Sequence, residues 1–236
     1  MTAAAGAPAT PVLDIAVLEA AWAERRSIRG FRPEPIPRAD LEQLFGTAQR
    51  TPSWCNVQPW RVAVTEPPVT GELAEAMQAA ARSGLLHAEV PFPLDFPSPY
   101  QERRVACGVA LYRAMGVARN DKAGRYDAWL RNYAFFGAPH VAIVACDRRL
   151  GPYAYLDVGV WLGYLLTAAA ALGIDTCPMA SVAAYPEPLR QRLPIAETDI
   201  ILFGLALGYA DETVAANQCR TGREPVTSNV TFVARP

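Results

Sequence analysis

The chain has 236 residues, of which 51% are hydrophobic and 19% charged, and its formal net charge is -1. This length suits one sizeable domain, and the balanced charge provides no broad positive field for nucleic acid or an anionic membrane. The five cysteines include no Cys-x-x-Cys pair, and the two histidines are far apart. We therefore expect a cytoplasmic protein without a disulfide framework or a metal site.

The N-terminal residues 1–10 are rich in Ala, Pro and Gly and lack the pattern of a signal peptide. They are interpreted as a flexible tail, and residues 11–236 as a single domain. A helix is predicted from Thr10-Pro11 onward, because Ile15, Leu18 and Trp22 recur at helical spacing. Its end coincides with Arg25.

The first half of the chain continues with short elements separated by proline-rich segments. A second amphipathic helix carries Leu41, Leu44 and Ala48 on one face and stops before Pro52. A loop, a strand over 61–65 and a helix over 70–82 are predicted next in order. The proline-rich and aromatic segment 84–104 is either a lid packed over a site or a surface excursion.

The second half alternates predicted helices and apolar strands. The predicted helices cover 101–117, 127–136 and 155–172, and the predicted strands cover 140–146, 199–209 and 229–233. Residues 158–174 are uncharged, which approaches the lower limit of a membrane span. Acidic residues at both ends and internal Gly, Tyr and Thr favour a buried core helix over that alternative, so no membrane association is expected.

Few strands dispersed among more helices, with connections of varied length, favour an α+β domain over a doubly wound sheet. The sequence contains no Gly-x-Gly-x-x-Gly motif, no phosphate-binding Gly-x-x-x-x-Gly-Lys loop and no Gly-x-Ser-x-Gly elbow. Rossmann-type nucleotide binding, P-loop chemistry and the usual serine nucleophile are therefore not supported.

A cluster of three arginines and a serine occupies the end of the first predicted helix, in the stretch Arg25-Arg26-Ser27-Ile28-Arg29-Gly30-Phe31. Guanidinium groups offer paired donors that match phosphate or carboxylate oxygens, so an anionic ligand is one interpretation. The other is that Arg25 and Arg26 complement the negative end of the helix while Arg29 is solvated. Spacing alone leaves both open.

Two further motifs follow this cluster, Pro52-Ser53-Trp54-Cys55-Asn56-Val57-Gln58-Pro59-Trp60 and the C-terminal run from Gly208-Tyr209-Ala210-Asp211 to Arg220 and Arg223. With the arginine cluster, they resemble the FMN-dependent nitroreductase family in the expected order. The resemblance implies a nitroreductase-like fold with a small, mostly antiparallel sheet flanked by helices. It also implies a homodimer that holds FMN at the subunit interface and exchanges a C-terminal strand.

The resemblance also implies roles for individual residues. Arg25 and Ser27, with Arg223 and Arg220, correspond to the positions that hold the ribityl phosphate, with Arg26 beside them. Arg29 corresponds to a cation near the pyrimidine edge of the flavin. The implied flavin contacts further along the chain are Pro178, Met179, Ala180 and Ser181 from the same subunit, and Pro52, Ser53 and Trp54 from the opposite one.

Four positions leave alternatives open. Asn56, Gln58 and Trp60 either belong to the cofactor site or close the loop through backbone hydrogen bonds. Asp157 stands where some relatives have Gln, and an acid near the flavin would oppose reduction unless it is paired or turned away. Ala180-Ser181 replaces the common Glu-Gly, which leaves a backbone donor intact.

The resemblance implies an oxidoreductase that takes hydride from NADH or NADPH and reduces a nitroaromatic or quinone-like acceptor by a ping-pong mechanism. No side chain is assigned a catalytic role, because the cofactor performs the redox chemistry. The alternatives are an ene-reductase, a reductive dehalogenase or a flavin-fragmenting enzyme of the same fold, or a non-catalytic FMN-binding protein.

Overall fold

The computed structural model of the protein describes residues 14–234. Its centre is a four-stranded antiparallel sheet with the strand order β1-β2-β4-β3. The strands are β1 (Arg61–Val64), β2 (His140–Asp147), β3 (Asp175–Met179) and β4 (Asp199–Gly208). The expected α+β fold with a small antiparallel sheet flanked by helices is confirmed.

Seven α-helices surround this sheet in the described part of the chain. They are α1 (Ile15–Glu24), α2 (Arg38–Ala48), α3 (Val69–Ser83), α4 (Tyr100–Ala114), α5 (Lys122–Leu130), α6 (Pro152–Ala171) and α7 (Pro186–Arg192). Asp14 caps α1, because its carboxylate accepts the N–H of Ala16. The predicted start at Thr10-Pro11 and the predicted tail 1–10 lie outside the described residues.

The core has two layers, because the sheet is covered on both faces. Along β2, Val141 and Ile143 belong to one apolar cluster with α3 and α7, whereas Ala142 and Val144 belong to another with α2 and α6. Every residue of β2 is buried, as expected for a central strand whose alternate side chains both meet helices. Burial of this kind contributes roughly 25 cal/mol per Å² of apolar surface.

Helix α6 is the long apolar helix that the sequence predicted. Among residues 14–234 it is the one helix whose length and composition would suit a membrane span, and 39% of that window is buried. Val158, Trp161, Leu165 and Ala169 are buried in the α2–α6 layer of the core. One side of α6 therefore packs in the core, as expected.

Several boundaries differ from the prediction, for local physical reasons. Asp121 caps α5 through the N–H of Gly124, so this helix begins before residue 127. It ends at Leu130, and the positive φ angles of Phe135 and Phe136, 49° and 57°, exclude a helix that reaches residue 136 as predicted. Strand β3 and helix α7 were not predicted. The short β3 contains Pro178 and has no alternating pattern, so its sequence does not indicate a strand.

The prediction of a C-terminal strand over 229–233 is corrected by the structure. These residues form no strand within one copy of the chain. A strand requires a neighbour with which to exchange hydrogen bonds, and no described segment pairs with this one. The outer edge of β3 is already occupied, since Ser27 bridges Thr176 and the N–H of Ile28 donates to the Thr176 carbonyl at 3.0 Å. This bridge brings the arginine cluster to the sheet.

Candidate functional site

A cavity of about 290 Å³ lies between the end of α1, the middle of α4 and the C-terminal segment 219–223. Trp22, Cys107 and Leu111 contribute the less polar wall. All the predicted phosphate and pyrimidine-edge residues also line the cavity, namely Arg25, Arg26, Ser27, Arg29, Arg220 and Arg223. Side chains from opposite ends of the sequence thus meet at one place.

The local fold explains how the arginine cluster reaches this cavity. Helix α1 ends at Arg25, whose φ and ψ of -62° and 125° turn the chain into an extended conformation. Ser27 then bridges β3 in parallel, which fixes the direction of the segment. Side chains of an extended segment alternate, so Ile28 enters the core while Ser27 and Arg29 line the cavity.

The cavity carries an excess of positive charge. Arg26 is compensated, because its Nη2 lies 3.2 Å from the Glu212 carboxylate. Arg25, Arg29, Arg220 and Arg223 form no ion pair with a carboxylate in the part of the chain that the structure describes. Converging guanidinium groups without a counter-charge form a site for an anion with several oxygens, such as a phosphate.

Asn217 joins the two sequence regions that form the cavity, and the side chain is 1% exposed. Its Oδ1 accepts the N–H of Arg29 at 2.6 Å, and its Nδ2 donates to the carbonyls of Gly30 at 2.8 Å and Asp211 at 2.9 Å. Its own carbonyl accepts Arg26 Nε at 2.9 Å and Arg220 Nη1 at 3.1 Å. Asn217 therefore holds three of the arginines in place.

Strand β3 leads directly from the cavity to the segment 178–181. Burial raises the pKa of the Cys177 thiol to about 11, and the nearby positive charges of Arg29 and Arg25 oppose this shift. Cys177 thus lies close to the arginine cluster. Ala180 and Ser181 begin a 3₁₀ turn, so their N–H groups have no partner within that turn and are available to a ligand.

Asn132 and Arg131 are site residues that the sequence analysis missed. The Ser181 Oγ donates to Asn132 Oδ1 at 3.4 Å. Arg29, Arg131 and Asn132 line a neighbouring cavity of about 160 Å³, and Arg131 Nη2 donates to the Arg29 carbonyl at 2.9 Å. Both residues follow α5 in a stretch without a recognisable motif, so the sequence offered no signal for them.

The remaining predicted site residues form a second group away from the arginine cavity. None of Pro52, Ser53, Trp54, Asn56, Gln58 and Asp157 lines that cavity. Asp157, on the buried side of α6, accepts the N–H of Trp54 at 3.1 Å and 3.2 Å with its two carboxylate oxygens. The carboxylate is therefore hydrogen-bonded to the backbone of the Trp54 loop within the chain. The Trp54 ring also contacts the ring of Tyr153, with 5.1 Å between centroids.

The loop around Trp54 has a strained backbone. Cys55, Asn56 and Gln58 have positive φ angles of 49°, 56° and 49°, which L-residues rarely adopt. The hydroxyl of Ser53 accepts the N–H of Gln58, and Gln58 Nε2 donates to the Asn56 carbonyl. These bonds favour the loop-closing interpretation of Gln58.

Trp60 is buried and has a structural hydrogen bond. Its indole N–H donates to Gln49 Oε1 at 3.0 Å, and its ring stacks on that of Trp161 with 6.2 Å between centroids. The structural interpretation of Trp60 is therefore favoured. The Asn56 side chain, in contrast, is exposed at the surface of the loop.

Comparison with known proteins identifies the family. The model of the nitroreductase family matches residues 22–209. The chain is 33% identical over 233 residues to nitroreductase NfnB of Mycolicibacterium smegmatis, with 95% of this chain and 97% of that protein covered. It is 34% identical over 212 residues to a 4-nitrobenzoate reductase of Pseudomonas putida, with 87% and 91% covered.

A solved structure agrees with these sequence comparisons. The crystal structure of the FMN-dependent nitroreductase NfnB from Mycobacterium smegmatis in complex with NADPH superposes with a TM-score of 0.89 at 32% identity, covering 94% of this chain and 100% of that one. Sequence and fold agree over nearly the whole chain. The chain is therefore a member of the nitroreductase family.

Proposed function

We propose that the protein is an FMN-dependent oxidoreductase that takes hydride from NAD(P)H and reduces nitroaromatic or quinone-like acceptors. The observation that carries this proposal is the cavity in which four of the five arginines lack a carboxylate partner among residues 14–234. A phosphate monoester supplies the missing negative charge. The relatives at 33% and 34% identity are a nitroreductase and a nitrobenzoate reductase, which supports the redox assignment.

Within this proposal, different residues of the cavity bind different parts of FMN. Arg25, Arg220 and Arg223 hold the ribityl phosphate together with the Ser27 hydroxyl. Arg29 would lie near the pyrimidine edge, where its positive charge would favour flavin reduction. Arg26 contributes indirectly, because its guanidinium is engaged by Glu212 and the Asn217 carbonyl.

The ring system is assigned to the segment that leaves β3. Pro178 and Met179 would provide one wall, and the N–H groups of Ala180 and Ser181 would be the hydrogen-bond donors to the ring. Asn132 adds a side-chain amide beside Ser181. These donors do not depend on side-chain identity at 180 and 181, so the replacement of Glu-Gly by Ala-Ser leaves them in place.

Bound FMN supplies the hydride transfer, and the chain supplies binding, orientation and a flat surface for the reactants. We propose that NAD(P)H and the acceptor occupy the same position in turn, which produces ping-pong kinetics. Trp54 is 63% exposed, and a planar aromatic acceptor can stack on such a ring. No protein side chain is required as an acid, because solvent can supply the protons.

We also propose that the functional unit is a homodimer with FMN at the interface. One chain does not bring Pro52, Ser53, Trp54, Asn56 and Asp157 to its own arginine cavity, and a second copy can supply this group. A row of exposed apolar side chains, Tyr153, Leu156, Val160 and Tyr164, follows one face of α6. Such a face is typical of an interface.

The C-terminal segment supports strand exchange between the two copies. Val230, Phe232 and Val233 are exposed, the last two at 84% and 93%. Strand β1 is the edge of the sheet that no described segment covers, whereas β3 is bridged by Ser27. We propose that residues 229–233 pair with β1 of the second copy. Removal of residues 226–236 should weaken the dimer in sedimentation velocity, and an unchanged dimer would reject the exchange.

We propose that the protein is cytoplasmic and that residues 11–236 form one domain. The two core layers share one sheet, which supports a single folding unit. Cysteines 55, 107, 146, 177 and 219 are all free thiols, which suits a reducing compartment.

An absorption spectrum of the purified protein, followed by anaerobic titration with NADPH, tests the function. We expect a flavin spectrum that NADPH bleaches and that 4-nitrobenzoate restores. A colourless protein that cannot be reconstituted with FMN would reject the proposal. Bleaching without reoxidation by any nitroaromatic or quinone would instead support a flavin-binding protein without this activity.

Two arginine variants test the phosphate assignment more directly. Arg25→Gln should weaken FMN binding by about tenfold or more, because a charge-assisted hydrogen bond is worth roughly 1.5–3 kcal/mol. Arg192 is an exposed arginine in the last turn of α7 and does not line the cavity, so Arg192→Gln is the matched control. Equal FMN dissociation constants for the two variants would contradict the assignment.

A further inference from the structure

A groove with a cavity volume of about 960 Å³ lies along α4 and α5, beside the arginine cavity. Four arginines line it, Arg104 and Arg113 from α4, Arg119 from the turn that follows, and Arg125 from α5. No role in FMN binding is assigned to any of them. FMN binding therefore does not account for these four arginines.

None of these four arginines forms an ion pair with a carboxylate between residues 14 and 234. The Arg104 guanidinium lies 5.1 Å from the ring centroid of Phe96, and that of Arg125 lies 5.1 Å from the ring centroid of Tyr112. The groove thus concentrates positive charge around an opening without local compensation, which favours a ligand with phosphate groups.

The floor between these charges is apolar. Val105 and Val109, which line it, are 50% and 56% exposed, and Tyr112 and Val117 continue the same surface. No residue of α4 is buried, although the helix has fifteen residues. A ligand that fits both features combines a flat apolar ring with phosphate oxygens, and an adenosine phosphate has this composition. Guanidinium planes also stack on such rings.

The groove adjoins the proposed FMN site. Cys107 lines both the groove and the arginine cavity. Leu111, one turn after Cys107 on α4, and Met115, just after the helix, border the cavity that Arg29 and Asn132 line. A dinucleotide whose reactive end lies at the flavin can therefore extend along α4 into the groove.

We propose that this groove binds the adenosine 2′-phosphate end of NADPH and makes the enzyme prefer NADPH to NADH. The inference rests on the proposed FMN-dependent function. The two donors differ by that one phosphate, so arginines that contact it contribute to NADPH binding and not to NADH binding. Arg113 and Arg119 are the specific candidates, since their side chains make no hydrogen bond or ion pair with the described residues.

The kinetic test compares Arg113→Gln and Arg119→Gln with wild type for both donors. We expect kcat/KM for NADPH to fall by about tenfold in at least one variant, through KM, while the value for NADH changes by less than about twofold. The control Arg192→Gln should change neither value. Equal losses with both donors, or no loss with NADPH, would overturn the proposal.

A binding test separates this proposal from the proposed function. Calorimetry with 2′,5′-ADP reports the groove without any flavin reduction, so it remains informative if the protein does not turn over. We expect binding to wild type that weakens in Arg119→Gln and at higher salt. Absence of 2′,5′-ADP binding in a protein that does contain reducible FMN would refute the groove assignment and leave the function standing.

Discussion

At the scale of single residues, Asn217 is the side chain on which the arginine cavity most depends. Asn217→Ala should lower the free energy of unfolding by about 2–3 kcal/mol, because the Arg29 N–H and the Gly30 and Asp211 carbonyls would lose their partner in a buried position. It should also raise the FMN dissociation constant. Urea unfolding and fluorescence titration with FMN measure the two effects.

The variant Asn217→Asp serves as a control for that prediction. It retains an oxygen that can accept the Arg29 N–H, but it presents another oxygen to the two carbonyls in place of the amide donor. A loss at least as large as that of Asn217→Ala is expected if the hydrogen bonds are responsible, because the two carbonyl oxygens repel a buried carboxylate. Normal stability and FMN affinity in both variants would show that Asn217 does not position the arginines.

Asp147, at the end of β2, provides a prediction about pH. Hydrogen bonds from the Arg149 side chain and backbone, supported by its charge, hold the pKa of the Asp147 carboxyl well below its usual range. A depressed folded-state pKa adds stability at pH values above the unfolded value of about 4, and this contribution is lost as the pH falls below it.

The variant Asp147→Asn should therefore be less stable than wild type at neutral pH. The difference between the two proteins should shrink steadily as the pH is lowered from about 5 toward 2. Urea midpoints measured across this range test the prediction. A difference that is independent of pH would assign the effect to packing rather than to the ionised carboxylate.

At the scale of elements, the Trp54 loop is held in its strained conformation by a contact with α6. Asp157→Ala should increase hydrogen exchange at the Trp54 amide by about tenfold or more, since that N–H loses its buried acceptor. Asp157→Asn retains an acceptor oxygen and should preserve much of the protection. If exchange is equally slow in both variants, Asp157 does not hold this loop.

At the scale of the whole molecule, the exposed apolar face of α6 is the proposed dimer interface. Leu156→Glu places a charge in that face and should convert the proposed dimer to a monomer with reduced FMN content. Leu94 is fully exposed in the segment between α3 and α4, so Leu94→Glu is the matched control. Sedimentation velocity distinguishes the species, and a dimeric Leu156→Glu protein that retains FMN would contradict the proposed interface.

Sequence patterns were sufficient where local chemistry and the fold agree. The apolar spacing in α2 and α6 and the continuous apolar run of β2 predicted these elements because their periodicity reflects which faces are buried. Strand β3 escaped prediction because its pairing with β4 and the Ser27 bridge, rather than its own five residues, make it a strand.

For the site, the sequence by itself determined the chemistry: arginines near both ends of the chain, and motifs that resemble one family. Charge and family motifs are properties of residue types, so they can be read without coordinates. The tertiary structure alone decided that Arg25 and Arg223 line one cavity, that Asn217 and Asn132 belong beside them, and that the Trp54 loop does not. Those facts depend on contacts between residues up to about two hundred positions apart, which local patterns do not encode.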